Sequence, residues 1–160
     1  TSGLAEMGPD SVFHRLLWDD AEAPGAPKTT TKLTSDDKIR RVVLCSGKVY
    51  YDLLEEREKK GIDDVYLLRI EQLYPFPAKA LLDELNRFQN AEVIWCQEEP
   101  KNMGAWAFIQ PYVEWVFDQM GRTGQRVRYT GRPASASTAT GLMRTHLAQL
   151  QAFLDEAFAQ

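Results

Sequence analysis

The sequence predicts an α/β protein with a three-layer, doubly wound, mainly parallel sheet and helices on both faces. Short apolar segments alternate four times with longer segments that have helical periodicity. The short segments are continuously apolar, which is typical of parallel strands covered on both sides. Residues 1–40 lack this alternation. We therefore predict an interdomain arm and linker over residues 1–40 and an α/β domain over residues 41–160.

The first half of the domain contains two strands and two helices. "RRVVLCSG" (40–47) is predicted as a strand, because it is short and rich in Val and Leu. "KVYYDLLEEREKK" (48–60) follows as a helix that ends at Gly61 in a C-cap position. "DVYLLRI" (64–70) is the second strand. "PFPAKALLDELNRF" (75–88) begins with prolines and continues as a helix with its leucines facing inward.

The second half repeats the same alternation. "AEVIWCQEE" (91–99) and "QRVRYTG" (125–131) are predicted as the third and fourth strands. "GAWAFIQPYVEWVFDQM" (104–120) is a helix in which Pro111 marks either the first turn or a kink. "TATGLMRTHLAQLQAFLDEAF" (138–158) is the last helix. Its apolar stripe has i, i+3, i+4 spacing and consists of Met143, Leu147, Leu150, Phe153, Leu154 and Phe158.

The arm has two parts of different composition. "VFHRLLWDD" (12–20) predicts a short strand or turn against a partner surface, and "AEAPGAPKTTTKLTSDDK" (21–38) is typical of a linker or surface loop. The chain begins with Thr1 rather than Met, so we expect a processed product or a piece of a longer protein.

Composition excludes several classes of function. A net charge of −4 argues against nucleic-acid binding, and no segment has the length and apolarity of a membrane span. Cys45 and Cys96 lie in apolar runs, which predicts buried free thiols in a reducing compartment. His14 and His146 show no metal-ligand spacing, and neither a C-x-x-C pair nor a nucleophile–base set is recognisable. We expect no catalytic residue and no metal ligand in this chain.

The turn in "VVLCSGKVYYDL" (42–53) resembles a phosphate-binding loop but does not match one. A Walker loop requires Gly five residues before Gly47 and Ser or Thr after Lys48, and the chain has Val42 and Val49 there. A dinucleotide-binding pattern also fails, because Gly47 has no partner glycine nearby. Two interpretations remain open: a structural corner in which Ser46 caps the helix, or a weak anion site.

The other strand-end loops carry charged residues. Arg69 and Glu71 are expected to form an ion pair beside a turn made by prolines. Glu98 and Glu99 are adjacent, which favours a loop anchor or interdomain hydrogen bonds over acid–base chemistry. In "YTGRPASASTATG" (129–141), Arg132 precedes a hydroxyl-rich segment that we place at the start of the last helix. That arrangement suits either helix capping and a subunit contact or the binding of a carboxylate or phosphate.

Four of these motifs together resemble one protein family. "VVLCSGKVYYDL", "RIEQLYPFP", "WCQEEPKNMGAW" and "YTGRPASAS" occur in the order and spacing of the carboxyl-terminal domain of the thiamine-diphosphate-dependent, decarboxylating component of 2-oxoglutarate dehydrogenase. The resemblance covers residues 41–158, and "PDSVFHRLLWDD" (9–20) resembles the segment that joins the preceding domain. The related 2-oxoadipate enzyme is the alternative, because the substrate pocket of such enzymes lies outside this segment.

The resemblance implies a transketolase-like carboxyl-terminal domain. In the family the full enzyme decarboxylates 2-oxoglutarate on thiamine diphosphate with Mg²⁺, both bound by preceding domains across a dimer interface, and succinylates a lipoyl group of the next component. The implied location is the bacterial cytoplasm or the mitochondrial matrix. The domain itself is expected to supply packing and dimer contacts. In some branches it also binds acetyl-CoA or an adenine nucleotide such as AMP. The residues expected for such an effector are Ser46, Lys48, Arg69, Lys101, Arg132 and Ser135.

Apolar residues exceed what one small sheet can bury. We predict that part of this surface is an interface in a parent enzyme. The residues concerned are Phe13, Leu16, Leu17, Trp18, Trp106, Tyr112 and Trp115.

Overall fold

The computed structural model describes residues 8–9, 11–22 and 29–160. Thr1 and residues 23–28 of the predicted linker lie outside the described residues. The strands are β1 (Leu16–Leu17), β2 (Arg41–Cys45), β3 (Val65–Ile70), β4 (Glu92–Gln97) and β5 (Arg128–Gly131). The helices are α1 (Val49–Lys60), α2 (Ala78–Leu85), α3 (Trp106–Gln119) and α4 (Met143–Phe158), with a short 3-10 helix at Asp36–Lys38.

The five strands form one sheet in the order β1-β3-β2-β4-β5. β2 lies parallel to both β3 and β4, and β4 lies parallel to β5, whereas β1 is antiparallel to β3. From β2 the chain continues to β3 on one side of it and then crosses back to β4 on the other side. The direction in which successive strands are added to the sheet therefore reverses between β2 and β4. The prediction of an α/β fold with a mainly parallel sheet is confirmed.

The alternation of side chains along the strands creates two apolar cores. Leu44 of β2 and Leu68 of β3 face α2 and α3, and their immediate neighbours Val43 and Leu67 face α1 and α4. All four side chains are fully buried. Burial of one such side chain contributes roughly 1.5–3 kcal/mol, so the two cores stabilise the packing of helices on both faces of the sheet.

The segment around β1 packs on the chain's own sheet. Leu16 pairs with Ile70 and Leu17 with Arg69, and the Asp19 carboxylate accepts a hydrogen bond from the Leu67 amide at 2.8 Å. The predicted short strand is present, and β1 provides an antiparallel edge for β3 of the same chain. That this segment also lies against a partner surface stays a prediction.

The last helix begins later than predicted. α4 starts at Met143 rather than residue 138, and no side chain caps it at Leu142. Residues 135–140, which include four hydroxyl-bearing side chains, therefore form a loop ahead of the helix, and the prediction that these hydroxyls cap it is wrong. Their side chains bond within the loop instead: the Ser137 hydroxyl donates to the Ala139 carbonyl at 2.7 Å.

Only the second half of the α4 stripe is buried. Phe153, Leu154 and Phe158 pack on the sheet, but Met143 is 71% exposed and Leu147 is 54% exposed. The physical reason is geometric: the helix extends past the carboxyl edge of the sheet, where no strand remains to cover its first two turns. Within the described part of the chain, no helix combines the length and the apolarity that a membrane span requires.

Candidate functional site

The reversal between β2 and β4 opens a cleft at the carboxyl edge of the sheet. Loops diverge at such a point, and open α/β sheets commonly bind ligands there. We call it the switch-point cleft. Its volume is about 570 Å³. Its walls include Ser46, Lys48, Tyr74, Glu98, Glu99 and Phe108.

The turn after β2 forms one wall of this cleft. Gly47 has φ +70°, a left-handed conformation that lets the chain turn sharply from strand to helix. The N-cap position is Lys48, and no side chain caps the helix, so the prediction that Ser46 caps it is wrong. Lys48 donates through Nζ to Asp52 at 2.6 Å, and this hydrogen bond raises the pKa of Lys48.

A buried amide shapes the opposite wall. Gln97 Oε1 accepts hydrogen bonds from Trp95 Nε1 at 2.8 Å and from the Trp106 amide at 3.0 Å. Its Nε2 donates to three carbonyls of the β4–α3 loop, the shortest bond being 2.7 Å to Met103. Sequence reasoning overlooked Gln97. The available signal was a neutral polar residue at the end of an otherwise apolar strand.

Arg132 lies in a neighbouring cleft of about 530 Å³ between the β5 loop and α4. The side chain is almost buried, and its Nε donates to Gln149 Oε1 at 2.7 Å. A second donor, Nη1, reaches the Thr138 carbonyl at 3.2 Å. Lys48 and Arg132 both line a small gap between α1 and α4, together with His146. The structure thus brings these two predicted cations to one place.

Lys101 and Ser135 have other surroundings. The Lys101 ammonium lies 5.4 Å from the centre of the Tyr129 ring. The Ser135 amide donates to Asn102 Oδ1 at 3.0 Å, and the Ser135 carbonyl accepts from Asn102 Nδ2 at 2.9 Å. Asn102, which sequence reasoning also overlooked, therefore joins the β4 and β5 loops. Neither Lys101 nor Ser135 lines the switch-point cleft or the Arg132 cleft.

Arg69 lies in a third place, beside β1. Its guanidinium stacks 4.0 Å from the centre of the Tyr50 ring, on the far side of β2 from β5. Its predicted ion pair with Glu71 exists, but the Nη1–Oε1 distance is 4.0 Å, too long for a hydrogen bond. The six predicted effector residues thus do not form one continuous site. Residues at the ends of different strands share an edge, but the width of the sheet separates them.

Groups suited to chemistry are few among the described residues. In residues 8–9, 11–22 and 29–160, no three His, Cys, Asp or Glu side chains lie together as metal ligands would. Cys45 and Cys96 are buried free thiols, as predicted. Burial raises the pKa of both thiols, which keeps them protonated and poorly nucleophilic.

Comparison with known proteins identifies close relatives. Residues 1–158 match the family described as 2-oxoglutarate dehydrogenase C-terminal. The chain is 69% identical over 156 residues to proteins named 2-oxoglutarate dehydrogenase E1 component from Brucella ovis, Brucella canis and Brucella abortus. Each match covers 98% of this chain and 15% of the relative. The chain therefore spans about one seventh of the length of these relatives.

Proposed function

Because the chain belongs to the 2-oxoglutarate dehydrogenase C-terminal family, we propose that it is the carboxyl-terminal domain of an E1 component. The parent enzyme decarboxylates 2-oxoglutarate with thiamine diphosphate and passes the succinyl group to the lipoyl group of the succinyltransferase component. The observation that carries this proposal is the 69% identity over nearly the whole chain. The names of the relatives favour 2-oxoglutarate over 2-oxoadipate.

The domain's own part in this function is structural. The described residues do not fit thiamine diphosphate and Mg²⁺, since they offer no cluster of carboxylates that would hold the metal. We therefore derive no step of the decarboxylation from this chain. Its exposed aromatic residues, such as Trp115, support a role in packing against the preceding domains or the dimer mate. The bacterial cytoplasm or the mitochondrial matrix is the corresponding location.

Activity measurements on the longer polypeptide that contains this chain test the proposal. With thiamine diphosphate and Mg²⁺ added, we expect it to release CO₂ from 2-oxoglutarate faster than from 2-oxoadipate. The 160-residue chain alone should release none. Removal of this segment from the longer polypeptide should abolish activity and weaken dimerisation, which sedimentation measures. A truncated enzyme that stays dimeric and fully active would contradict the proposed role.

A second function, effector binding, is favoured by the composition of the switch-point cleft. Lys48 supplies a cation at the amino-terminal end of α1, and Tyr74 and Phe108 supply aromatic faces. Arg132 lies on the other side of the same α1 end. This combination suits a phosphate group joined to a purine, as in AMP or acetyl-CoA. Of the six expected residues, Ser46, Lys48 and Arg132 are the ones best arranged for such a ligand.

Calorimetric titration of the chain with acetyl-CoA and with AMP at low salt tests this second function. We expect saturable binding that is lost in Arg132→Ala and weakened in Lys48→Ala. Arg126→Ala serves as the matched control, because Arg126 is an exposed arginine whose ionic contact is with Glu114. Since Arg132 is buried and its removal can disturb the fold, the exposed Lys48 gives the decisive comparison. Equal binding by Lys48→Ala and the unchanged chain would exclude this cleft.

A further inference from the structure

Arg69 has an unusual environment for a charged side chain. It occupies a position of β3 whose neighbours on the same face, such as Leu67, belong to the apolar core under α1. Its side chain is only 13% exposed. Nε is buried without a hydrogen-bond partner among the described residues. A buried N–H group that lacks an acceptor is costly, and the stacking of the guanidinium on Tyr50 offsets only part of that cost.

The accessible part of Arg69 opens into a cleft of about 460 Å³ beside strand β1. Val12 and Phe13 form its outer rim and are 70% and 71% exposed. His14, Leu17, Tyr51 and the Gly47 turn also line the cleft. We call this the Arg69 cleft. It is separate from the switch-point cleft, because the two linings have one residue, Gly47, in common.

We propose that the Arg69 cleft binds a carboxylate that is joined to an apolar group. A carboxylate matches the planar donors of a guanidinium better than other common anions except phosphate. The apolar rim excludes a small hydrated anion as the preferred ligand and favours one that buries an apolar part against Phe13 and Tyr51. The volume lies within the range of small-ligand sites, about 300–1,000 Å³. A free organic acid and the acidic side chain of a polypeptide share this chemistry.

Glu71 is a second charged residue in the Arg69 cleft. Its carboxylate lies 4.0 Å from Arg69 Nη1, so it neutralises part of the charge without accepting a hydrogen bond. A bound carboxylate must compete with Glu71 for the same cation. If Arg69 and Glu71 formed only a structural ion pair, removal of the Glu71 charge would weaken the structure and create no affinity. If the cleft is a binding site, the same change strengthens binding.

The test uses the 160-residue chain and amide chemical shifts measured by NMR. The probe is 3-phenylpropionate, with 3-phenyl-1-propanol as its neutral counterpart and acetate as the charge alone. We expect saturable shifts at Gly47, Tyr51 and Phe13 with 3-phenylpropionate, and affinity at least about tenfold lower for the alcohol and for acetate. A blocked Phe-Glu dipeptide amide, whose only carboxylate is the Glu side chain, distinguishes the two sources: tighter binding than the free acid indicates a polypeptide.

Substitutions complete the test. Arg69→Gln should weaken binding of 3-phenylpropionate about tenfold or more, and Glu71→Gln should strengthen it. Arg126→Gln is the matched control and should change nothing. If Arg69→Gln does not fold, Phe13→Ser on the exposed rim should still reduce affinity. Equal affinity for the alcohol, or unchanged binding by folded Arg69→Gln or by Phe13→Ser, would overturn the proposal.

Discussion

At the scale of single residues, the ion pair between Asp19 and Arg57 ties the β1 segment to the domain. Both side chains are fully buried. Arg57 Nη2 donates to Asp19 Oδ1 at 2.7 Å, and Nη1 donates to the other carboxylate oxygen and to the Val65 carbonyl. The same carboxylate accepts the amides of Leu67 and Ala21. Nearly every lone pair of Asp19 is therefore used.

Replacement of this carboxylate should be severe. Asp19→Asn leaves the Arg57 charge buried without its counter-ion, so we expect the free energy of unfolding to fall by about 3–5 kcal/mol. Urea denaturation followed by circular dichroism measures it. Asp83→Asn, which removes an exposed pair with Lys79, is the control and should have almost no effect. A similar small change in both variants would show that the β1 segment is not anchored by this pair.

At the scale of elements, glycines with left-handed backbones end α1 and begin the approach to α3. Gly61 has φ +63° and open space around it, whereas Gly104 has φ +66° within the Gln97 loop. A Cβ at Gly104 would lie 2.9 Å from Gln97 Nε2 and 3.0 Å from Glu99 Cβ. A non-glycine residue at either position carries the same kind of backbone strain. The two positions differ in the space available for a Cβ atom.

Alanine at each position separates strain from crowding. We expect Gly61→Ala to destabilise the chain by about 1–2 kcal/mol, the cost of a left-handed non-glycine residue. Gly104→Ala should cost about 1–3 kcal/mol more, because the methyl group must displace the Gln97 amide. Thermal and urea unfolding measure both. Equal destabilisation by the two substitutions would mean that the β4–α3 loop moves to accommodate the methyl group at little cost.

The amino ends of β2, β4 and β5 are joined by one carboxylate. Glu92 accepts hydrogen bonds at 2.7 Å from Arg128 Nε and Arg41 Nε. The bond with Arg128, supported by the bond with Arg41 and opposed by burial, lowers the pKa of Glu92 below its ordinary value of 4.5. The folded carboxyl therefore stays ionised at a pH where the unfolded one is protonated. Its stabilising effect is present above pH 4.5 and is lost as pH falls through the lowered value.

The pH dependence of stability checks this link between strands. Glu92→Gln should be less stable than the unchanged chain at pH 7, and the difference should shrink as the pH falls below 4.5. Urea midpoints across this range measure the difference. Because Glu92 is 40% exposed, solvent screens the pair and we expect a modest effect. A difference that is independent of pH would show that lost packing, not lost charge, is responsible.

At the scale of the whole molecule, one face of α3 presents aromatic side chains to solvent. Phe76 and Tyr112 stack with ring centres 5.0 Å apart, and Phe108 lies 5.1 Å from Tyr112. Trp115, on the same helix, is 50% exposed. Leu16 and Trp106, which we also expected in an interface, are instead buried in the core. That this aromatic face contacts another part of a parent enzyme stays a prediction.

Self-association of the isolated chain tests whether that aromatic face forms contacts between protein molecules. Trp115→Glu should reduce association without lowering the free energy of unfolding, because the ring is half exposed. Sedimentation velocity over a range of concentrations measures association. Gln119→Glu adds the same charge to the same helix without removing a ring and should matter less. Equal association in the unchanged chain and Trp115→Glu would count against an interface at this position.

The sequence by itself determined the α/β class, the alternation of the four helices with β2 to β5, and the burial of both thiols. These properties depend on local periodicity and on the length of apolar runs, which can be read within a window of a few residues. It also indicated that charged loops gather at the carboxyl edge of the sheet. This follows from parallel strands and requires no knowledge of which strands are neighbours.

Only the tertiary structure decided which residues meet. Asp19 and Arg57 are 38 positions apart, and nothing local in either segment signals the other. Strand order separated Arg69 from Arg132 and brought Lys48 close to Arg132, because β2 lies at the centre of the sheet and β3 and β5 lie on opposite sides of it. The exposure of Met143 and Leu147 likewise depended on where the sheet ends beneath α4. Periodicity records which face of a helix is apolar, whereas the strands packed beneath that face decide how much of it is covered.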